Sequence, residues 1–267
     1  MAHPSYVIGD IHGHLDGLVA ALRDKGLVDA DGDWAGGEAV VCFLGDFVDR
    51  GPDGIGVIDL VMKLQRQAAE AGGEVRSLLG NHEILLLGMH RFGDTAVVPD
   101  DVAPRSFAKS WELNGGQPED LAALTDEHIE WLTTRPLVTL LADHLLLHSD
   151  ALTYLDWGMQ IADINKTAGE ILAGDDLADW WGVWSRMTVR YAFRGPNGPG
   201  VAELLLACLG GQRIVHGHTV IADQLGIHPT EIEDPLLYAG GKVLGVDGGL
   251  FVGGPCLIVE LPWEPED

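Results

Sequence analysis

The chain has 267 residues, of which 16 are Lys or Arg and 41 are Asp or Glu, so its formal net charge at pH 7 is −25. This acidic balance counts against non-specific nucleic-acid binding, which depends on Lys and Arg neutralising phosphates. Hydrophobic residues make up 46% of the chain, the balance of a globular protein with a full core, and no apolar run approaches the roughly 18 residues that span a bilayer. We therefore expect neither a nucleic-acid nor a membrane partner.

The start of the chain and its cysteines bear on where the protein works. The sequence begins MAHPSYVIGD, with no basic segment followed by a long apolar stretch, so we expect no secretory signal. The three cysteines, Cys42, Cys208 and Cys256, lie in apolar runs and form no Cys-x-x-Cys pair. Such residues are typical of buried free thiols in a reducing compartment, and we predict a cytoplasmic protein.

The first third of the chain alternates between strand and helix patterns. Apolar runs predict three buried strands, at 5–9, 39–45 and 74–79. Apolar residues at helical spacing follow each run, as from Leu15 to Leu22 after the first run and through Leu87 after the third. This alternating order predicts parallel strands joined by crossover helices, and hence an α/β core.

The middle of the chain has a different pattern. Residues 91–135 and 151–200 look helical and loop-rich, and we interpret them as cap-like insertions over the core of a single domain, 1–267. They hold six of the eight tryptophans: Trp111, Trp131, Trp157, Trp180, Trp181 and Trp184. Tryptophans in a cap can stack on a nucleobase, although more often they fill a core because of the large area that they bury.

The remaining segments add strands after the middle of the chain. The sequence predicts, in order, a β-hairpin at 137–142 and 144–147, a helix at 201–209, a strand at 213–215, and β-rich, glycine-broken segments at 242–246 and 251–261. The hairpin leads into His148, and the strand leads into His216-Gly-His-Thr219. The last two segments suggest an antiparallel sheet at the end of the chain.

Five short motifs fall where predicted strands end. They are Gly9-Asp-Ile-His-Gly-His14, Gly45-Asp-Phe-Val-Asp-Arg-Gly51, Gly80-Asn-His-Glu83, His148 and Gly217-His-Thr219. In α/β sheets, the loops beyond the carboxyl ends of the strands converge on one crevice, so these motifs are expected to meet. Their carboxylate, amide and imidazole groups suit Mn, Fe, Zn or Mg rather than a thiolate-bound metal.

The set of side chains is large enough for two metal ions. Two metals about 3.5–4 Å apart need a shared ligand, and a carboxylate suits that place because its charge reduces the repulsion between the cations. Asp46 is the candidate bridge. Asp10 and His12 lie two residues apart and can present both groups on one side of a strand, so they are assigned to the first metal. The second metal is assigned to three further residues: Asn81, His148 and His218.

The first three motifs carry a family resemblance. The chain resembles the calcineurin-like metallophosphoesterases and, more narrowly, their phosphoprotein phosphatase branch, whose hallmarks Gly-Asp-x-His-Gly, Gly-Asp-x-Val-Asp-Arg-Gly and Gly-Asn-His-Glu stand here unbroken between Gly9 and Glu83. Within that branch it resembles the bacterial Shewanella-like protein phosphatases. The resemblance implies a mixed α/β fold of four layers, with two mixed β-sheets packed together and helices outside, and it leaves the cap regions unmatched.

The resemblance also implies a role for each motif residue. It assigns the same six metal ligands and places a hydroxide between the two divalent metal ions. We expect these ions to be Mn, with Fe, Zn or Mg as alternatives. Arg50 and Asn81 are expected to hold the phosphate oxygens, since a guanidinium is a planar fork that matches them. His82 is expected to protonate the leaving group, with Asp49 orienting its ring.

The match is looser in the second half of the chain. Relatives supply a second phosphate-binding arginine, and Trp184-Ser-Arg186 resembles that place, so Arg186 is our choice and Arg194 the alternate. The sequence Asp247-Gly-Gly resembles a late family motif, but a plain β-turn fits equally well. His14 and His216 lie beside predicted ligands and are candidates to support them.

The leading hypothesis is a phosphomonoesterase, specifically a serine/threonine protein phosphatase that acts on phosphorylated proteins or peptides, or on a small phosphate ester. The alternative enzyme is a symmetrical diadenosine tetraphosphate hydrolase, because bacterial relatives with the same motifs cut that dinucleotide. A nuclease is disfavoured by the charge of −25, and a catalytically inactive metal-binding module is disfavoured because every expected ligand is present. The sequence leaves the oligomeric state open.

Overall fold

The computed structural model describes residues 3–98 and 105–265, so residues 99–104 of the first predicted insertion lie outside it. The strands in these ranges are β1 (Ser5–Ile8), β2 (Val40–Phe43), β3 (Glu74–Ser77), β4 (Val138–Leu141), β5 (His144–Leu147), β6 (Arg213–His216), β7 (Leu236–Tyr238), β8 (Val243–Gly245) and β9 (Ile258–Leu261). The α-helices are α1 (Leu15–Asp24), α2 (Gly54–Ala71), α3 (Asn81–Phe92), α4 (Phe107–Leu113), α5 (Pro118–Ala123), α6 (Asp126–Thr133), α7 (Ile161–Ala173), α8 (Leu177–Met187), α9 (Gly198–Leu209) and α10 (Ile221–Leu225).

The strands form two mixed sheets. The first has the order β3-β2-β1-β9, in which the first three strands are parallel and β9 is antiparallel to β1. The second has the order β4-β5-β6-β8-β7, with β5, β6 and β8 parallel and both edge strands antiparallel to their neighbours. The predicted α/β class is therefore confirmed, and so is the hairpin that precedes His148.

The two sheets pack face to face through an apolar layer. This layer draws side chains from both sheets, among them Val7 and Cys42 from the first sheet and Leu146 and Val215 from the second. The opposite faces of the sheets, together with the helices, form a larger core that also contains side chains of α4, α6, α7 and α8. The result is the expected order of layers, with helices outside two stacked sheets.

The end of the chain differs from the sequence prediction. The predicted antiparallel sheet of segments 242–246 and 251–261 is wrong, because β8 joins the second sheet and β9 joins the first. Phe251 lies in a short 3-10 turn, Leu250–Val252, between two pairs of glycines at 248–249 and 253–254. These glycines let the chain leave one sheet, pass the site and enter the other sheet.

No helix in the described ranges is long and apolar enough to cross a membrane. The cysteines in these ranges are free thiols, with Cys42 buried and the other two partly exposed.

Candidate metal centre and active site

The predicted site residues meet where strands of the two sheets end. Asp10 and His12 follow β1, Asp46 follows β2, and Asn81 opens α3 after β3. From the second sheet, His148 follows β5 and His218 follows β6. All six side chains belong to residues that are at most 5% exposed. The carboxyl ends of the parallel strands thus gather the six candidate ligands into one buried cluster.

The backbone around this cluster is strained. Nine non-glycine residues in the described ranges have a positive φ, and five of them belong to the site: His12, Asp46, Asp49, Arg50 and His218. Left-handed backbone costs an ordinary residue on the order of 1–2 kcal/mol and persists only where neighbouring structure holds it. Here the amides of Ile11 and His12 both donate to the carbonyl of Asp46, at 3.0 and 2.9 Å.

Asp46 lies between the two halves of the cluster. Its Oδ2 is 3.7 Å from Nε2 of His12, and its Oδ1 is 3.3 Å from Nε2 of His148. Asp10 Oδ2 is 3.9 Å from the same nitrogen of His12, and Asn81 Oδ1 is 2.9 Å from that of His148. A carboxylate that turns one oxygen to each half has the geometry that a bridging ligand needs.

Each candidate histidine has one ring nitrogen bound to a backbone carbonyl. Nδ1 of His12 donates to the carbonyl of Val48, and Nδ1 of His148 donates to that of Leu44, both at 3.0 Å. His218 is reversed, because its Nε2 donates to the carbonyl of Thr188 at 3.3 Å. Carbonyl contacts of this kind orient metal-binding histidines and leave the other nitrogen as the lone-pair donor.

The other nitrogen of His218 gives an independent sign of fit. Its Nδ1 is buried and has no hydrogen-bond partner in the described part of the chain. An unpaired buried ring nitrogen is costly, and a bound cation would satisfy it. His218 forms a group with Asp46 and His148 in which one candidate ligand atom from each residue lies within 4.8 Å of the others. These donors, with the amide of Asn81, fit a divalent cation.

Buried acidic groups concentrate negative charge in the cluster. Burial, together with the charges of Asp247 and Asp46, holds the pKa of Asp10 well above its usual value. Burial also raises the pKa of Asp247 to about 6. For His148, burial lowers the pKa, but the charge of Asp46 and its hydrogen bond outweigh burial and raise it to about 9. Bound cations offset this concentration of negative charge.

A second group of residues lies against the first half of the cluster. His82 is within 4.8 Å of His12 and Asp46, as a metal ligand would be. However, both of its ring nitrogens are already engaged, since Nδ1 donates to Asp49 Oδ2 at 2.7 Å and Nε2 accepts from Arg50 Nη2 at 3.0 Å. This arrangement fits a group that handles a proton better than it fits a ligand.

Arg50 is held in place by an aromatic ring. The carbon of its guanidinium lies 4.1 Å from the centre of the Phe251 ring, and that ring also contacts the imidazole of His12 at 5.1 Å between centres. A cation over an aromatic face is attracted to it without losing its N–H donors. The 3-10 turn that interrupts the C-terminal strands therefore supplies a wall of the site.

Glu83 is a site residue to which the sequence analysis gave no role. Its carboxylate accepts hydrogen bonds from the amides of Asp46 (2.8 Å), Phe47 (2.7 Å) and Gly80 (2.9 Å). Burial and the charge of Asp46 raise the pKa of Glu83 to about 7. The side chain ties the loop after β2 to the start of α3, and the last letter of the Gly-Asn-His-Glu motif was its only signal.

The arginines in the second half of the chain differ in whether they contact the cluster. Arg186 forms an ion pair with Asp156, with Nε 2.9 Å from Oδ2, and Arg194 donates to the carbonyl of Gln224. Within the described ranges, these side-chain contacts lie outside the cluster. Arg190 does reach it, because its Nη1 donates to the carbonyl of His218 and lies 3.5 Å from Oγ1 of Thr219. No motif marks Arg190, so it is not among the site residues predicted from the sequence.

The supporting residues proposed from the sequence also have defined places. The buried side chain of Asp247 accepts from the amide of Gly249 at 2.9 Å, a local contact that does not decide between the family role and a plain β-turn. His216 is buried and its Nε2 lies 2.8 Å from the hydroxyl of Tyr238. His14 precedes α1 and lines a small pocket beside the site, together with Pro52 and Leu250.

A family model and several known proteins match parts of the chain. A family model described as calcineurin-like phosphoesterase matches residues 3–222. Shewanella-like protein phosphatase 2 of Arabidopsis thaliana is 40% identical over 78 residues, which are 29% of this chain and 20% of that protein. The symmetrical bis(5'-nucleosyl)-tetraphosphatase of Enterobacter sp. strain 638 is 28% identical over 172 residues, 64% of this chain and 51% of that protein.

Solved structures confirm the fold. The chain superposes on a cold-active protein tyrosine phosphatase with a TM-score of 0.71 and 23% identity, covering 98% of this chain and 74% of the other. At this identity the likeness concerns the fold alone. The chain spans between 20% and 51% of the two curated relatives named above. Since the family model covers most of the chain and its strand-end motifs form one buried cluster, the chain belongs to the calcineurin-like phosphoesterases, a family of hydrolytic enzymes that normally use a dinuclear metal centre.

Proposed function

We propose that the protein is a metal-dependent phosphomonoesterase, and specifically a serine/threonine protein phosphatase. The observation that carries the proposal is the contact between two sets of residues. The cluster around Asp46 lies directly against His82, whose ring is 4.6 Å from that of His12 between centres, and His82 is bound to Asp49 and Arg50. The proposed metal ligands, the cation proposed to bind phosphate and the proposed proton donor thus lie next to one another.

The proposed metal ligands divide at Asp46. Asp10, His12 and Asp46 would hold one ion, and Asp46 with Asn81, His148 and His218 would hold the other. When bound, two divalent ions, for which we propose Mn²⁺, supply Lewis-acid charge for the phosphoryl oxygens and activate the attacking water.

The arginines hold the substrate phosphate in this proposal. Arg50 already points its Nη2 into the site, and its fork can pair with two phosphate oxygens. Arg190 approaches from the opposite half, beside His218 and Thr219. The side-chain nitrogen of Asn81 is a donor that can serve a third oxygen in this proposal, while its Oδ1 faces His148.

In its imidazolium form, which carries a proton on both ring nitrogens, His82 donates the proton that the departing alkoxide requires and becomes neutral. Its Nδ1–H is held by Asp49, so Nε2 is the atom that faces the substrate. That nitrogen contacts Arg50 in the structure, and a bound phosphate would draw the guanidinium towards its own oxygens. A serine or threonine alkoxide is a poor leaving group. Proton transfer from Nε2 to the leaving oxygen therefore lowers the barrier more for this substrate than for an ester of an acidic phenol.

A symmetrical dinucleoside tetraphosphatase is the second candidate. The similarity to the Enterobacter enzyme extends over 64% of this chain, whereas the similarity to the plant phosphatase covers 29%. The tryptophans of the two predicted insertions do not decide the matter. Trp111 and Trp180 are buried in the core, which favours the packing role for them, while Trp181 and Trp184 are partly exposed.

Product analysis separates the two candidates. Mn-loaded protein is incubated with a panel of phosphoserine, phosphothreonine and phosphotyrosine peptides and, in parallel, with diadenosine tetraphosphate, each with a chelator control. The proposal predicts release of inorganic phosphate from phosphoserine and phosphothreonine peptides in preference to the dinucleotide. Conversion of the dinucleotide to ADP as the main reaction would assign the protein to nucleotide hydrolysis instead.

Two further proposals concern the setting of the enzyme. We propose a cytoplasmic location, which free thiols suit. We also propose that residues 1–267 act as one domain, in which the helices of the regions 91–135 and 151–200 form the side of the site that selects its substrate.

A further inference from the structure

The loop that carries Asp49 and Arg50 is held by a distant part of the chain. The amide of Arg50 donates to the carbonyl of Gly115 at 2.7 Å, and the amide of Asp49 lies 3.4 Å from Oδ2 of Asp120. Nε1 of Trp111, on α4, donates to Oδ1 of Asp49 at 2.8 Å. All three contacts come from α4, α5 and the turn between them, one of the regions that the sequence analysis interpreted as a cap.

The contact from Trp111 completes the hydrogen bonding of a buried carboxylate. Asp49 is fully buried, and Trp111 is 4% exposed. One oxygen of Asp49 accepts from Trp111 at 2.8 Å, while the other accepts from Nδ1 of His82 at 2.7 Å. With one donor on each oxygen, the carboxylate cannot rotate without breaking a hydrogen bond, and an unpaired buried acceptor costs about 1–3 kcal/mol.

We infer that Trp111 is a positioning residue for His82, acting through Asp49. The inference rests on the proposed function, because it concerns the group that protonates the leaving oxygen. The indole N–H holds Oδ1 of Asp49 while Oδ2 accepts from Nδ1 of His82, so the orientation of the carboxylate fixes the orientation of the imidazole. The backbone that carries this side chain is itself left-handed at Asp49, with φ 67°. Removing the indole N–H changes none of the groups proposed to contact the substrate. It frees the carboxylate of Asp49 to rotate, so the His82 ring is no longer held in one orientation.

The test uses substrates whose leaving groups differ. Trp111→Phe removes the indole N–H and keeps an aromatic ring in the core. Trp131→Phe is the matched control, because Trp131 Nε1 donates to Oε1 of Gln65, also at 2.8 Å, away from the site. We expect Trp111→Phe to lower kcat on a phosphoserine peptide about tenfold with little change in KM, since positioned proton transfer contributes on the order of 10²–10⁴ in rate. Hydrolysis of p-nitrophenyl phosphate, whose leaving group needs no proton, should change less than about twofold.

Equal losses on the two substrates would overturn the inference, since they would mark a general structural defect. A loss of the same size in Trp131→Phe would do the same. In an Asp49→Ala background, Trp111→Phe should add nothing further, because Trp111 acts only through that carboxylate. An additional selective loss in this background would also overturn it.

A spectroscopic measurement tests the contact without turnover. In Mg-loaded protein, the Nδ1 proton of His82 should give a proton NMR signal downfield of the amides, assigned by its loss in His82→Asn. Trp111→Phe should broaden or shift this signal, and Trp131→Phe should leave it unchanged. If the wild-type protein hydrolysed neither ester, the proposed function would fail, and an unaltered signal in Trp111→Phe would separately overturn the inference.

Discussion

The three candidate metal-binding histidines differ in which ring nitrogen is free. His12 and His148 present Nε2, whereas His218 presents Nδ1, and in each case a backbone carbonyl engages the opposite nitrogen. The sequence identified the three residues because each follows a predicted strand. It could not identify the free nitrogen, since the carbonyl that orients His148 belongs to Leu44, which is 104 positions away along the chain.

The role of His82 as proton donor gives the first prediction. His82→Asn should lower kcat on a phosphoserine peptide by about 10²–10⁴, because the leaving alkoxide then departs without a proton. The metal content should stay that of the wild type, since both nitrogens of His82 contact Asp49 and Arg50 rather than completing the cluster. Steady-state kinetics and elemental analysis measure the two quantities. Full activity in this variant would remove His82 from the mechanism.

The choice between arginines gives the second prediction. Arg190 contacts the backbone of His218 and the side chain of Thr219, whereas Arg186 pairs with Asp156. Arg190→Ala should therefore lower kcat/KM about tenfold to a hundredfold through loss of a charged hydrogen bond to phosphate. Arg186→Ala is the matched control and should change kcat/KM less than about twofold. The reverse order of effects would restore the choice that the sequence favoured.

Among the elements, those with regular patterns were predictable. The three βα pairs that open the chain and the hairpin before His148 all formed where apolar periodicity placed them. The C-terminal strands could not be paired correctly, because β8 and β9 are separated by glycines that send them to different sheets. Arg190 was missed for a related reason, since it lies in a loop after α8 with no local pattern.

The approach of two motif loops gives the third prediction. Gly45 has φ 99°, and a Cβ there would lie 2.4 Å from the backbone nitrogen of Gly80. Gly45→Ala should lower the free energy of unfolding by more than about 2 kcal/mol, because it adds a clash to the left-handed strain. Gly26→Ala is the matched control, since φ is 70° there and nothing lies within 4 Å of the added Cβ, so only about 1 kcal/mol is expected. Equal losses in urea denaturation would show that the loops can separate freely.

Across the whole molecule, the net negative charge opposes the binding of the anionic substrate that the site is proposed to hold. The net charge of −25 repels a phosphorylated substrate, and only 16 residues are Lys or Arg. Arg50 and Arg190 bring two of these cations to the site, yet the same place holds the buried carboxylates Asp10, Asp46 and Asp247. Divalent ions held by Asp10 and Asp46, as proposed, would make the local field attractive to phosphate, so metal binding and substrate binding should be coupled.

The most direct test of a dinuclear phosphoesterase is a titration of metal-stripped protein with Mn²⁺, in which phosphate release from a phosphoserine peptide is measured at each ratio. We predict no release from the stripped protein and a plateau of activity near two equivalents, because two ions share the bridging carboxylate. Asp46→Asn, which changes that shared ligand, should not reach the plateau. Activity that survives stripping, or that saturates at one equivalent, would contradict the account.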